Sequence, residues 1–153
     1  MLDIFRVATS RFEAVEEGRD PQRVEKLLKE ALAVESYDFT PILEKRLRRV
    51  QPWEKTLDFP SRITFHRDVS DDYTVVDIST PDRLALLYDI LQALSDDEFL
   101  IALARITTEK GAAIDSFYIT DLEGQKVTDP ARLAHLHKAL AKAVRHKIGA
   151  PVA

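Results

Sequence analysis

The chain has 153 residues, 45% of them hydrophobic and 31% charged, with a formal net charge of −4. That length supports one modest core, or one domain with part of another, and the mild acidity is spread along the chain rather than gathered, so nucleic acid is not an expected partner. The lack of cysteine excludes disulfides, thiol catalysis and cysteine-ligated zinc, and no apolar run reaches the roughly 18 residues of a membrane span, so no membrane partner is expected. Met1 and Leu2-Asp3-Ile4-Phe5 include no basic region leading into an apolar segment, and the expected setting is cytoplasmic.

Leu2 to Val7 alternates as a strand, and after a charged loop Asp20 and Pro21 supply a cap and an opening residue for a helix. Val24, Leu27, Leu28, Ala31 and Leu32 mark the face this helix should bury. Thr40-Pro41 starts a second helix carrying Ile42, Leu43, Leu47 and Val50, with Lys45, Arg46, Arg48 and Arg49 outward. Gln51-Pro52-Trp53 ends it, and the segment to Pro60 reads as a linker with a domain boundary beside it. Ile63, Phe65 and Val69 then alternate with Thr64, His66 and Asp68 as a strand, and Ser70-Asp71-Asp72 turns the chain into a second strand from Tyr73 to Ser79.

The junction that follows, Thr80-Pro81-Asp82-Arg83-Leu84-Ala85-Leu86-Leu87-Tyr88-Asp89-Ile90, reads as a helix start. Thr80 can cap the first turn, Pro81 suits the first helical position, and Asp82 places negative charge at the positive end of the dipole. Leu84, Leu87, Ile90, Leu91 and Leu94 would line the buried face. A long strand from Phe99 to Thr108 comes next, with Leu100, Ala102, Ala104 and Ile106 on one side and Ile101, Leu103, Arg105 and Thr107 on the other. Gly111 turns it into the strand from Ala112 to Thr120, and Gly124 leads to Asp129-Pro130 and a helix with Leu133, Leu136, Leu140 and Val144 inward. The order strand, strand, helix, strand, strand, helix predicts an α+β domain, a four-stranded antiparallel sheet with two helices on one face.

The strand at Leu2 and the helix after Asp20 repeat the design of Ile114 to Ile119 and the helix after Asp129, with a few residues of slippage. A strand needs neighbours to satisfy its backbone, so the first block reads as a domain entered part-way through. The expected organisation is residues 1–35 as the closing part of a first domain, 36–61 as helix and linker, 62–147 as a complete domain and 148–153 as a tail.

Chemistry is sparse. His135 and His137 lie two apart on a helix and point roughly 200° away from each other, wrong for one metal ion. His66 and His146 read as surface residues, and none of Gly18, Gly111, Gly124 and Gly149 opens a phosphate-binding helix. Asp71 with Asp72, and Asp96 and Asp97 with Glu98, read as turn formers, and Ser79 has no base near it in sequence. No catalytic residue, metal or cofactor is expected. What remains is the junction, where amides at a helix start can receive the carboxylate of a small molecule.

The run from Tyr73 to Ile90, then Ala104-Arg105-Ile106-Thr107-Thr108, Asp115-Ser116-Phe117-Tyr118-Ile119-Thr120-Asp121 and Gly124-Gln125-Lys126, resembles an ACT domain over about Ile63 to Val144. Most of all it is similar to the C-terminal tandem ACT region of the bifunctional protein-PII uridylyltransferase/uridylyl-removing enzymes. The resemblance implies a ferredoxin-like fold, binding of a small amino acid (glutamine in that family), pairing with another ACT domain as a homodimer, and control of catalytic domains in a longer protein. It assigns the ligand to Thr80, Asp82, Arg83, Leu84, Ala85, Leu86, Leu100 and Ile101, the last two on a strand that faces a partner domain. The family runs Asp-Arg-Pro-Gly-Leu-Leu at the junction, whereas Leu84 and Ala85 stand here, and the Cβ of Ala85 takes room that a glycine leaves to a ligand. The alternative is therefore a structural pairing module that has lost ligand binding.

Overall fold

The computed structural model describes residues 19–34, 37–47 and 59–145, and the chain divides into two compact units, 1–44 and 45–153. The strand expected at Leu2 to Val7, the linker from Gln51 and the tail after residue 147 lie outside the described residues. Helix α1 spans Arg19–Leu32, so Asp20 and Pro21 fall within its first turn. Of its expected buried face, Val24, Leu28 and Leu32 are exposed, and Leu27 and Ala31 are half-buried. Helix α2 spans Thr40–Leu47 and starts at the Thr-Pro pair, with the Thr40 amide donating to Asp38 Oδ1 at 2.9 Å. The bonds from Thr40 also hold the Asp38 carboxyl below its ordinary range.

The second unit holds β1 (Arg62–His66), β2 (Thr74–Pro81), α3 (Leu86–Asp96), β3 (Leu100–Glu109), β4 (Ala112–Thr120) and α4 (Pro130–Arg145). All neighbours in the sheet are antiparallel, in the order β1-β2-β4-β3. This is the ferredoxin-like α+β arrangement. Val76 and Ile78 of β2 lie opposite Phe117 and Asp115 of β4, so they share one face, and that face meets Leu86, Ile90 and Leu94 of α3 and Leu133, Leu136, Leu140 and Val144 of α4 in one core.

Asp129 and Pro130 do what their order predicts. Asp129 Oδ1 accepts from the Ala131 amide at 3.0 Å, and Pro130 opens α4. The β3–β4 hairpin turns on Lys110 and Gly111, both at positive φ (49° and 84°), the two-residue geometry that matches strand twist. The end of α3 closes with Glu98 at φ 59°, its amide on the Ser95 carbonyl and the Phe99 amide on Leu94, the double bond of a left-handed helix end without the usual glycine.

Four expectations need correcting. Val69 is outside β1, which stops at His66, and it is exposed on the way to the Ser70 turn, where the Ser70 hydroxyl accepts from the Asp72 and Tyr73 amides. Thr80 and Pro81 belong to β2, not to a helix. Proline is tolerated there because the Asp82 amide bonds Gly111, which by ladder alternation turns Pro81 nitrogen toward the side where β1 has already ended at the Arg62–Ser79 pair. The buried stripe of α3 is Leu86, Ile90 and Leu94, whereas Leu87 and Leu91 are 37% and 38% exposed and Leu84 lies in the turn before the helix. Two leucine stripes lie side by side on this helix, and spacing alone does not say which the sheet covers. In β3 a bulge between Ile101 and Leu103 moves Ile101 onto the face of Ile119, so the alternation expected from Leu100 to Thr107 breaks at Ala102.

The sheet face away from the helices carries a polar row in which Asp77 accepts from Ser116 at 2.6 Å and pairs with His66 Nε2 at 2.8 Å. On the helix side, Asp115 is only 2% exposed. Burial pushes its carboxyl up from the ordinary range, the Thr107 amide at 3.2 Å opposes this, and nearby Asp82 adds to the rise.

Ile90→Ala should cost about 2–5 kcal/mol in urea unfolding, and Leu87→Ala under about 1 kcal/mol, if the stripe is as described. For Asp115 the folded pKa exceeds the unfolded one, so the folded state holds the proton more tightly and stability falls as pH rises from the unfolded pKa through the folded one. Asp115→Asn lacks that loss, and its stability relative to the parent should climb across this window and level off above it, as followed by unfolding at a series of pH values.

Candidate functional site

The β2–α3 junction is built from a strand that runs two residues further than its sequence suggests. Because β2 continues through Pro81 and the Asp82 amide donates to the Gly111 carbonyl at 2.8 Å, the change of direction falls on Arg83, Leu84 and Ala85. Ala85 caps α3 at φ 60° and ψ 12°, a left-handed conformation, with no side-chain bond to the first turn. The Leu86 amide reaches back to the Arg83 carbonyl at 3.2 Å and the Asp89 amide to Ala85 at 3.0 Å. A left-handed alanine costs roughly 1–2 kcal/mol, which is a backbone reason for glycine at this place in related sequences beyond the room it leaves.

Thr80 is fully buried, its hydroxyl sharing a 2.7 Å hydrogen bond with Ser61, so it does not cap the helix. Asp82 is half-buried beside Asp115. Leu86 points into the core. Arg83 is the most heavily bonded residue at the site: Nη1 donates to the Leu84 carbonyl at 3.0 Å, and Nη2 to Asp89 Oδ2 and to the Ala143 carbonyl of α4, both at 2.6 Å. Its Nε is buried and is the one buried side-chain nitrogen or oxygen among the described residues without a partner. An orphaned buried donor costs about 1–3 kcal/mol.

Thr80 to Leu86 are thus brought together, but Leu100 and Ile101 are not with them. They pair with Thr120 and Ile119 at the end of the sheet where β2 begins, while the junction lies where β2 ends beside Ala112. Seven residues of strand, about 23 Å, separate the two ends. Near Leu100 lies instead an open depression of about 570 Å³ lined by residues including Asp97, Glu98, Glu123, Asp129, Arg132 and His135. Its side chains are engaged in structure: Arg132 lies 4.7 Å over the Phe99 ring and bonds the Glu98 carbonyl, and His135 Nδ1 is 3.2 Å from Asp97. No group of three potential metal ligands comes together among the described residues.

Asp89 belongs to the junction stretch read from the sequence, whereas Asp115 and Ala143 carry no sequence signal that ties them to it. Asp115 stands 25 or more residues away in the chain, and its one signal is an acid in a mostly apolar strand, Ala112 to Ile119. Ala143 contributes only a carbonyl, which no side-chain pattern reveals.

No helix among the described residues is long and apolar enough to cross a membrane. Residues 62–153 match the family of ACR9-like, ACT-like domains. The bifunctional uridylyltransferase/uridylyl-removing enzyme of Rhodospirillum rubrum is 35% identical over 151 residues, 96% of this chain and 16% of that enzyme. Enzymes of the same name from Gluconobacter oxydans and Erythrobacter litoralis are 41% identical over 86 residues and 34% over 127, covering 9% and 14% of their lengths. The chain therefore spans a small part of these curated relatives, and no solved structure matches it. Sheet order, helix placement and the match over residues 62–153 agree, and the chain belongs to the family of ACT-like domains.

Proposed function

We propose that this chain is a non-catalytic regulatory ACT module that senses a small amino acid, glutamine by family resemblance, at the β2–α3 junction. It would act in the cytoplasm and control a protein-PII uridylyltransferase/uridylyl-removing enzyme, or a protein derived from one, through pairing with another ACT domain. The observation that carries the reading is the first turn of α3, which no side-chain cap closes and which sits beside Asp82, Asp89 and the guanidinium of Arg83. Two carboxyl groups against one guanidinium disfavour a simple anion. A zwitterion suits the site better, its carboxylate toward the helix start and its ammonium toward the carboxyl groups.

Pairing supplies the link to Leu100 and Ile101. β3 is an edge strand whose ten residues are all exposed, including Leu100, Ile101, Leu103 and Ile106, and such an edge invites a second strand. An antiparallel second copy would lay the Leu100 end of one β3 against the other end of its partner, nearer the junction.

The structural-module alternative is favoured by Leu84 and Ala85 alone, since the Ala85 Cβ occupies the turn. Calorimetric titration with glutamine and the other amino acids tests the proposal: saturable heat supports it, and no heat with any of them overturns it. Ala85→Gly should raise stability by up to about 1 kcal/mol, the relief of left-handed strain less the extra entropy of an unfolded glycine. If the parent is silent and Ala85→Gly binds, the module has lost its ligand and serves pairing only.

A further inference from the structure

The arginine at the junction is bonded to the far helix as well as to its own turn. Ala143 lies in the last turn of α4, and its carbonyl accepts a hydrogen bond from Arg83 Nη2 at 2.6 Å. The same nitrogen holds Asp89 Oδ2 in the first turn of α3, also at 2.6 Å. Both hydrogens of Nη2 are therefore in use, while the Nε–H beside it is buried without an acceptor.

In a guanidinium, Nε–H and one hydrogen of Nη2 point to the same side, the edge that a carboxylate takes with two parallel bonds. A carboxylate arriving on that edge competes with one of the two present partners. Asp89 is charged and the Ala143 carbonyl is neutral, and charge-assisted bonds are roughly twice as strong, so the carbonyl gives way.

We propose that Arg83 couples the ligand site to α4: the α-carboxylate of a bound amino acid satisfies Nε, draws the guanidinium off the Ala143 carbonyl and loosens the last turn of α4. The proposal rests on the sensor reading above and gives it an output. Arg83 is then a positioning residue with two arrangements, one capping α4 and one holding the ligand. The buried Nε is what the second arrangement repairs.

Arginine side-chain and amide NMR on the full chain tests this. With saturating L-glutamine the Arg83 Nε–H signal should move and its exchange with water slow by about tenfold, while amides in the last turn of α4 exchange several-fold faster. L-glutaminamide, which lacks the α-carboxylate, should leave both unchanged. Arg83→Lys retains the charge but has no such edge, and the end of α4 should stop responding to glutamine. Calorimetric binding of glutamine with Arg83 Nε and α4 unaltered overturns the coupling and leaves the sensor reading intact. An equal response to L-glutaminamide overturns the role of the carboxylate, and no binding of glutamine or of any other amino acid overturns both readings together.

Discussion

The ladder bond from the Asp82 amide to the Gly111 carbonyl decides how the junction is built. It keeps β2 extended through Pro81, so the chain has three residues, Arg83 to Ala85, in which to turn and enter α3. The left-handed Ala85, the late helix start at Leu86 and the choice of buried stripe all descend from it. Once Leu86 is the first helical residue, Ile90 and Leu94 follow one and two turns later on the sheet side. Leu87 and Leu91 are left outside. The position of Arg83 descends from it too, because the turn carries that side chain between the start of α3 and the end of α4.

Most of the fold was legible from periodicity and punctuation. Four strands, two core helices and their order were readable, and the stripe Leu133, Leu136, Leu140 and Val144 is buried as its spacing predicts. The instructive contrast is between three proline signals. Thr40-Pro41 and Asp129-Pro130 open helices, and Thr80-Pro81 ends a strand. Local chemistry is similar in all three, and what differs is the β4 hairpin, which comes some thirty residues after Pro81 and pairs with it at Ala112. A tertiary partner outweighs a local preference of this size. The bulge at Ala102 and the left-handed Glu98 were unreadable for a related reason, since neither carries a glycine to mark it.

The site was half legible. Sequence pointed to the residues from Thr80 to Leu86, and they do form one turn. Their roles changed: Thr80 is locked to Ser61, Leu86 is core, and Arg83 is committed to three acceptors. Asp89, from the same stretch, holds the Arg83 guanidinium, while Asp115 comes from β4, where cross-strand register sets it opposite Ile78. The same register separates Leu100 and Ile101 from the turn.

We infer that an amino acid binds at the β2–α3 turn. Mapping backbone amide shifts during an L-glutamine titration of the full chain tests it most directly. The account predicts the largest saturable changes from Leu84 to Asp89, with smaller ones at Thr107 and Gly111. Changes centred on the depression around Asp97, Arg132 and His135 would contradict it.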